Sequence, residues 1–270
     1  MRNYLEKSMP KHPPTIRLRR HATGIASRMF NPTPTILHVF ENNTHLPTDW
    51  ENVVLPIDKP KGITSFDVVR QLRRKLGVRK IGHAGTLDPM ATGLLICLIG
   101  RATKRMNEIL EHEKCYAGII RFGQTTKSFD ADTPVEQETD VSALRDEHIL
   151  EAAKGFSGTI LQETPIYSAA RMNGERLYKK ARRNEIVVTP KRYVTIHELQ
   201  FGSLNGRDVS FELTCSTGTY VRSIAHELGQ ILGIGGHLIA LRRTSIGGIK
   251  ASRAWQLESI PVLGQETTNK

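Results

Sequence analysis

Aromatic residues make up only 6% of this 270-residue chain, cysteine occurs three times, and 27 acidic residues face 38 lysines and arginines. Each shortage excludes a class of protein. Cys97, Cys115 and Cys215 are odd in number, widely spaced and set in apolar runs, which rules out a disulfide framework and fits buried thiols in a reducing compartment. No Cys-x-x-Cys pair occurs, and the ten histidines form no close pair at helical or finger spacing, so no metal site is expected and a zinc deaminase is disfavoured. No hydrophobic run is long enough to span a bilayer, and the N-terminus has no apolar block of a secretory signal. The expectation is a cytoplasmic protein that does not enter a membrane. The Gly-x-x-x-x-Gly-Lys-Ser/Thr phosphate loop and the serine-hydrolase elbow are both missing. What the shortage of acid leaves is a net charge of +11, which attracts polyanions, nucleic acid first among them.

The chain divides by composition. Residues 1–50 are basic and proline-rich: the cations from Lys7 to Arg28 face only Glu6 before Glu41. The segment is expected to be poorly ordered, and it reads equally as an RNA-touching arm, a transit peptide or a stretch upstream of a start at Met29. From residue 51 to 250 the pattern is that of one mixed domain, followed by a short tail, 251–270. An apolar strand, Val53 to Ile57, runs into the turn 58–62. Thr64 and Asp67 then form a capping box, Phe66, Val69, Leu72 and Leu76 recur at helical spacing, and Gly77 ends the helix. Further helices are predicted over 103–112, 142–156, 174–183 and 220–232. Strands are predicted over 94–99, 116–122, 193–199 and 209–215, the last alternating apolar and polar residues. Elements that mix without a regular repeat indicate an α+β fold, a large mixed and mainly antiparallel sheet flanked by helices.

Chemistry concentrates in four places. The loop Gly82-His83-Ala84-Gly85-Thr86-Leu87-Asp88-Pro89-Met90-Ala91-Thr92-Gly93 fixes one carboxylate among residues chosen for backbone geometry, with Pro89 biasing Asp88 toward an extended conformation. Lys114-Cys115-Tyr116 puts a phenol at the head of a strand, where it can stack on a base or sit in the core. Cys215 to Arg222 compresses a strand end, a glycine turn and a helix start into eight residues. There Arg222 is a cation at a helix N-terminus, unfavourable unless an anion compensates it, and a carboxylate would be that anion. Tyr167 to Arg171, continuing through Gly174, Arg176, Tyr178 and Arg182, mixes aromatics with cations as an RNA-binding surface does, and as a solvated basic helix also does.

Taken in order, the Asp88 loop, the Lys-x-Tyr strand and Gly-Thr-Tyr-Val-Arg resemble the TruB family of pseudouridine synthases. The resemblance runs from about Val53 to Gly248 and includes Gly123-Gln124-Thr125-Thr126, Asp130-Ala131-Asp132 and Leu241-Arg242-Arg243-Thr244-Ser245-Ile246-Gly247. It implies the pseudouridine synthase fold and isomerisation of uridine 55 in the tRNA T loop, without metal, organic cofactor or obligatory protein partner. By the same resemblance Asp88 is the catalytic aspartate, Arg222 its partner and Tyr116 the base-stacking residue. Tyr220 is a wall of the site, His83 a contact to extruded nucleotides, Leu241 a closing residue, and Arg171 stands where a lysine is common. Asp88 would attack C1′, add to the ring or take a ribose proton, and the sequence leaves all three open. Arg70, Arg73, Arg74, Lys179, Arg182 and Arg183 are expected to meet the RNA backbone. Family members often carry a C-terminal PUA domain, for which the tail has no room. The alternative reading is a tRNA folding chaperone using the same surface.

Overall fold

A computed structural model describes residues 16–17 and 39–263, apart from 169, 173, 178, 179, 181, 182, 184 and 186. These fall in two compact units, one of residues 39–116 with 241–263, the other of 117–240 with Ile16 and Arg17.

In the first unit β1 (Asn52–Lys59) is covered on both faces, so it reads as an unbroken apolar run rather than an alternation. Helix α1 (Ser65–Leu76) follows. The Thr64 side chain accepts from the Asp67 N–H at 3.0 Å, Asp67 accepts from the Thr64 N–H at 2.9 Å, and Gly77 closes the helix at φ 67°. Its buried stripe is Ser65, Val68, Val69, Leu72 and Leu76. Phe66, which the spacing assigned to the core, is instead 57% exposed with the Arg73 guanidinium 5.8 Å from its ring. Ser65 takes the inward position because its hydroxyl bonds both the N–H and the C=O of Leu87, at 2.8 and 3.0 Å.

Strand β2 (Ile81–Ala84) and strand β3 (Thr92–Gly100) pair antiparallel, and β1 pairs antiparallel with the other edge of β3. Both ends of the Asp88 loop are therefore strand. Cys97 lies at the centre of β3, where burial pushes its thiol up to about 12, so it is inert. The helix predicted over 103–112 is a 3-10 turn, Arg101–Arg105, running into α2 (Met106–Leu110). Phe40, Leu46 and Trp50 pack against the same core, the Trp255 indole donates to the Phe40 carbonyl at 2.8 Å, and Leu257 and Ile260 are buried in it.

Strand β4 (Lys114–Phe122) carries the chain from one unit into the other. In the second unit α3 (Asp146–Ala153) is shorter than predicted, its last turn tightening to a 3-10 turn. Strand β5 (Gly158–Glu163) pairs with β6 (Lys191–Phe201), which pairs with β7 (Asp208–Cys215), all antiparallel. Val209, Phe211, Leu213 and Cys215 of β7 are buried, as the alternation requires. Helix α4 (Val221–Ile231) buries Val221, Ile224, Ala225 and Leu228, and β8 (Gly236–Ile246) completes the sheet. The stretch 174–183 does not open as a helix. Gly174, at φ 80°, turns the chain so that Arg171–Met172 pairs antiparallel with Glu175–Arg176. Most of the described strands form a mixed, mainly antiparallel sheet, two further pairs stand as two-stranded sheets, and with the helices they make an α+β fold. Among the described residues no helix is long and apolar enough to cross a membrane.

Candidate active site

The candidate residues gather in two groups, one in each unit. The first centres on Asp88, half-buried between Leu87 and Met90, which are 4% and 3% exposed. Gly85, at φ 77°, and Gly93, at φ 96°, bend the chain on either side, and a Cβ on Gly93 would stand 2.3 Å from the Arg243 carbonyl oxygen. The loop is braced from both sides by buried cations. The Arg243 guanidinium, 1% exposed, donates to the carbonyls of Leu94 (2.7 Å), Gly85 (2.9 Å) and Thr86 (3.5 Å). The Lys59 ammonium, fully buried, donates to the carbonyls of Ile63 (2.6 Å), Pro60 (2.9 Å) and Pro89 (3.3 Å). Hydrogen bonds from a charged donor hold a backbone more firmly than neutral ones, so Asp88 rides on a rigid mount.

His83 stands on β2 opposite Cys97. Burial, and secondarily the Arg243 charge, hold its pKa below the usual histidine range, so the ring is neutral. Tyr116 is 8% exposed and Leu241 6% exposed, and the Leu241 carbonyl accepts from the Thr92 hydroxyl at 3.4 Å. On α1, Arg70 is paired with Asp67 at 2.6 Å and Arg73 donates to the Ile81 carbonyl at 2.7 Å, while Arg74 is exposed.

The second group centres on Arg222, 3% exposed in the first turn of α4. Its guanidinium donates to the carbonyls of Ser128 (2.7 Å) and Tyr167 (2.9 Å) and lies 3.4 Å from the Asp130 carboxylate. Asp130, 2% exposed, is itself fixed by the Ser128 hydroxyl at 2.6 Å and the Asp132 N–H at 3.0 Å. A carboxylate that the helix start calls for is thus present in Asp130, which the sequence marks only as part of a family motif and not as a site residue. Tyr220, the N-cap residue, makes no side-chain cap. Instead Gln162, fully buried on β5, accepts from the Tyr220 N–H at 2.7 Å and donates to its carbonyl at 3.1 Å. The Tyr220 ring lies 5.0 Å from the Arg192 guanidinium, a cation–π contact. Arg183 is engaged by Glu175 and Glu185, at 2.8 and 2.6 Å. Arg171 is seen as strand backbone only, and Lys179 and Arg182 lie outside the described residues.

The carboxylate on its clamped loop and the buried guanidinium fixed by acceptors are both carried by an α+β arrangement of strands and helices. The TruB family pseudouridylate synthase N-terminal domain profile matches residues 73–221, and the tRNA pseudouridylate synthase B C-terminal domain profile matches 222–267. Among curated relatives, tRNA pseudouridine synthase B of Opitutus terrae is 45% identical over 210 residues, 78% of this chain and 87% of that protein. The Chlorobium chlorochromatii protein of the same name is 46% identical over 209 residues, 76% and 80% of the two chains. The chain belongs to the TruB family of pseudouridylate synthases. Solved structures include an archaeal box H/ACA sRNP Nop10–Cbf5 complex, 28% identical with a TM-score of 0.55, matching 77% of this chain. An H/ACA RNP bound to a substrate RNA containing 2′-deoxyuridine is 27% identical at the same TM-score and matches 81% of it. This chain spans only 52% and 59% of those two solved chains.

Proposed function

We propose that this enzyme converts uridine 55 in the T loop of tRNA to pseudouridine, with Asp88 as the catalytic carboxylate. The reaction breaks the N1–C1′ bond, turns the uracil and joins C5 to C1′, with the C5 proton lost and N1 reprotonated. Nothing is oxidised or reduced, so the chemistry asks only for a base or nucleophile and a held ring. The observation that carries the reading is the mount of Asp88: a half-buried acid on a loop whose carbonyls are gripped by Arg243 on one side and Lys59 on the other.

The other candidates take the roles that the family resemblance implies. Arg222 is the guanidinium partner of the acid, Tyr116 stacks on the extruded base, Tyr220 forms a wall, Leu241 closes the pocket, and neutral His83 meets the flanking nucleotides. Arg171 contacts the RNA. Stacking at about 1–3 kcal/mol per base offsets much of the cost of extruding a uridine. Arg70, Arg73, Arg74, Lys179, Arg182 and Arg183 contribute backbone affinity that falls steeply with salt.

The test is Asp88→Asn on a T-stem-loop transcript. Turnover is expected to fall below detection while the transcript binds as before. Normal turnover by the variant would remove Asp88 from the mechanism, and normal turnover on RNAs without a T loop would remove the specificity.

A further inference from the structure

Among the described residues Phe129 is the one non-glycine with a positive φ, 63°. For a bulky side chain this left-handed conformation is costly, and it persists only where the surroundings hold it. Crowding does not impose it, because a cleft of ≈ 510 Å³ lined by Thr125, Lys127, Phe129, His226 and Gln230 opens beside the ring. What holds it is a contact with α4. The Phe129 ring lies parallel to the His226 imidazole, with centroids 3.7 Å apart and an interplanar angle of 11°. His226 stands four residues after Arg222, so the two share one face of the helix. Its Nδ1 is buried with no hydrogen-bond partner among the described residues, and burial keeps the ring neutral, so the face of the imidazole is what the fold uses.

The residues on either side of Phe129 complete the pattern. Ser128 gives its carbonyl to Arg222 and Asp130 gives its carboxylate. A left-handed residue reverses the chain, and that reversal lets the oxygen before it and the acid after it converge on one guanidinium. The Phe129 carbonyl is tied in turn by the Leu238 N–H at 3.0 Å. We infer that Phe129, locked by its ring stack on His226, is a positioning residue that sets two of the acceptors of Arg222, the Ser128 carbonyl and the Asp130 carboxylate, and so aims the guanidinium. The inference rests on the reading of Arg222 as part of the catalytic machinery.

Two pairs of variants test it: Phe129→Leu against Phe129→Tyr, and His226→Ala against His226→Phe. Each is assayed by single turnover and by T-stem-loop binding, at a temperature where urea titration shows it folded. The Leu and Ala variants are expected to lose about tenfold to hundredfold in single-turnover rate with RNA affinity unchanged, since the guanidinium is misaimed rather than removed. The Tyr and Phe variants, which keep a stacked ring, are expected to retain the parent rate to within about twofold. Parent rates in the aliphatic variants would overturn the inference. So would aromatic variants as impaired as the aliphatic ones, or affinity falling in step with rate. Should Phe129→Leu fail to fold, the His226 pair decides alone. Asp88→Asn in the same assay separates the two claims: an active Asp88→Asn defeats the proposed function, whereas an inactive one beside a normal Phe129→Leu defeats only this inference.

Discussion

The two groups of candidate residues bury charge in opposite ways. Around Asp88 the cations are scaffolding: Arg243 and Lys59 give their protons to main-chain oxygens, and what they fix is the path of the loop. Around Arg222 the cation is the cargo: main-chain oxygens of Ser128 and Tyr167, with the Asp130 carboxylate, fix the guanidinium. The same bond, N–H of a cation to a carbonyl, thus positions an acid by shaping backbone in one place and positions a guanidinium by using backbone already shaped in the other. The first arrangement tolerates change in whatever lies beyond the carbonyls. The second does not, because the group being held is the one proposed to act.

The comparison breaks first at Asp130. Asp130→Ala removes one carboxylate from the buried Arg222, and loss of one member of a buried pair is expected to cost about 3 kcal/mol in urea unfolding, with turnover falling alongside. A cost below that of a surface substitution would mean the two carbonyls suffice and the acid is incidental. Next is Arg243→Met, which keeps side-chain length but leaves the carbonyls of Gly85 and Leu94 without their donor. Stability is expected to fall by about 2 kcal/mol and single-turnover rate by about tenfold or more, while RNA affinity stays put. Unchanged turnover in a folded Arg243→Met would show that the loop holds its shape unaided.

The smallest effect lies outside both groups. Burial, and then the charge of Glu163, push Glu227 up to about 7 from an ordinary 4.5, against the opposing pull of Lys191. A carboxyl raised in the fold favours the neutral form. Its contribution is intact below about pH 4.5, declines as pH rises to about 7, and stays lost above that. Glu227→Gln should therefore match the parent in acid and exceed it above neutrality by about 1 kcal/mol, once partial solvent access is discounted. Melting curves at both ends of that range check the sign, and equal stability across it would show that the carboxyl is not strained.

Much of this was legible in the chain. The capping box at Thr64, the stop at Gly77, the alternation of β7 and the loop around Asp88 follow local rules, and the structure keeps them. What escaped are places where a distant partner reverses a local preference. In β5, Leu161 is 52% exposed while Gln162 is fully buried, the opposite of a polarity pattern, because both amide atoms of Gln162 serve the backbone of Tyr220. Strand β8 was missed because it opens on glycine and carries Arg242 and Arg243 mid-strand, the latter buried by carbonyls far off in sequence. Asp130 was visible as a residue but not as a ligand, since nothing local joins it to Arg222. Tertiary demands override the simple code at the site, where function sets the terms.

The depth of Lys59 and Arg243, 0% and 1% exposed, has a practical corollary. Mobile ions screen charges they can approach, and these two lie beyond their reach, whereas phosphate contacts at the surface are fully open to competition. Raising ionic strength should strip RNA from the protein long before it loosens the acid's seat, and on returning to dilute buffer the catalyst should recover at once, with no refolding lag.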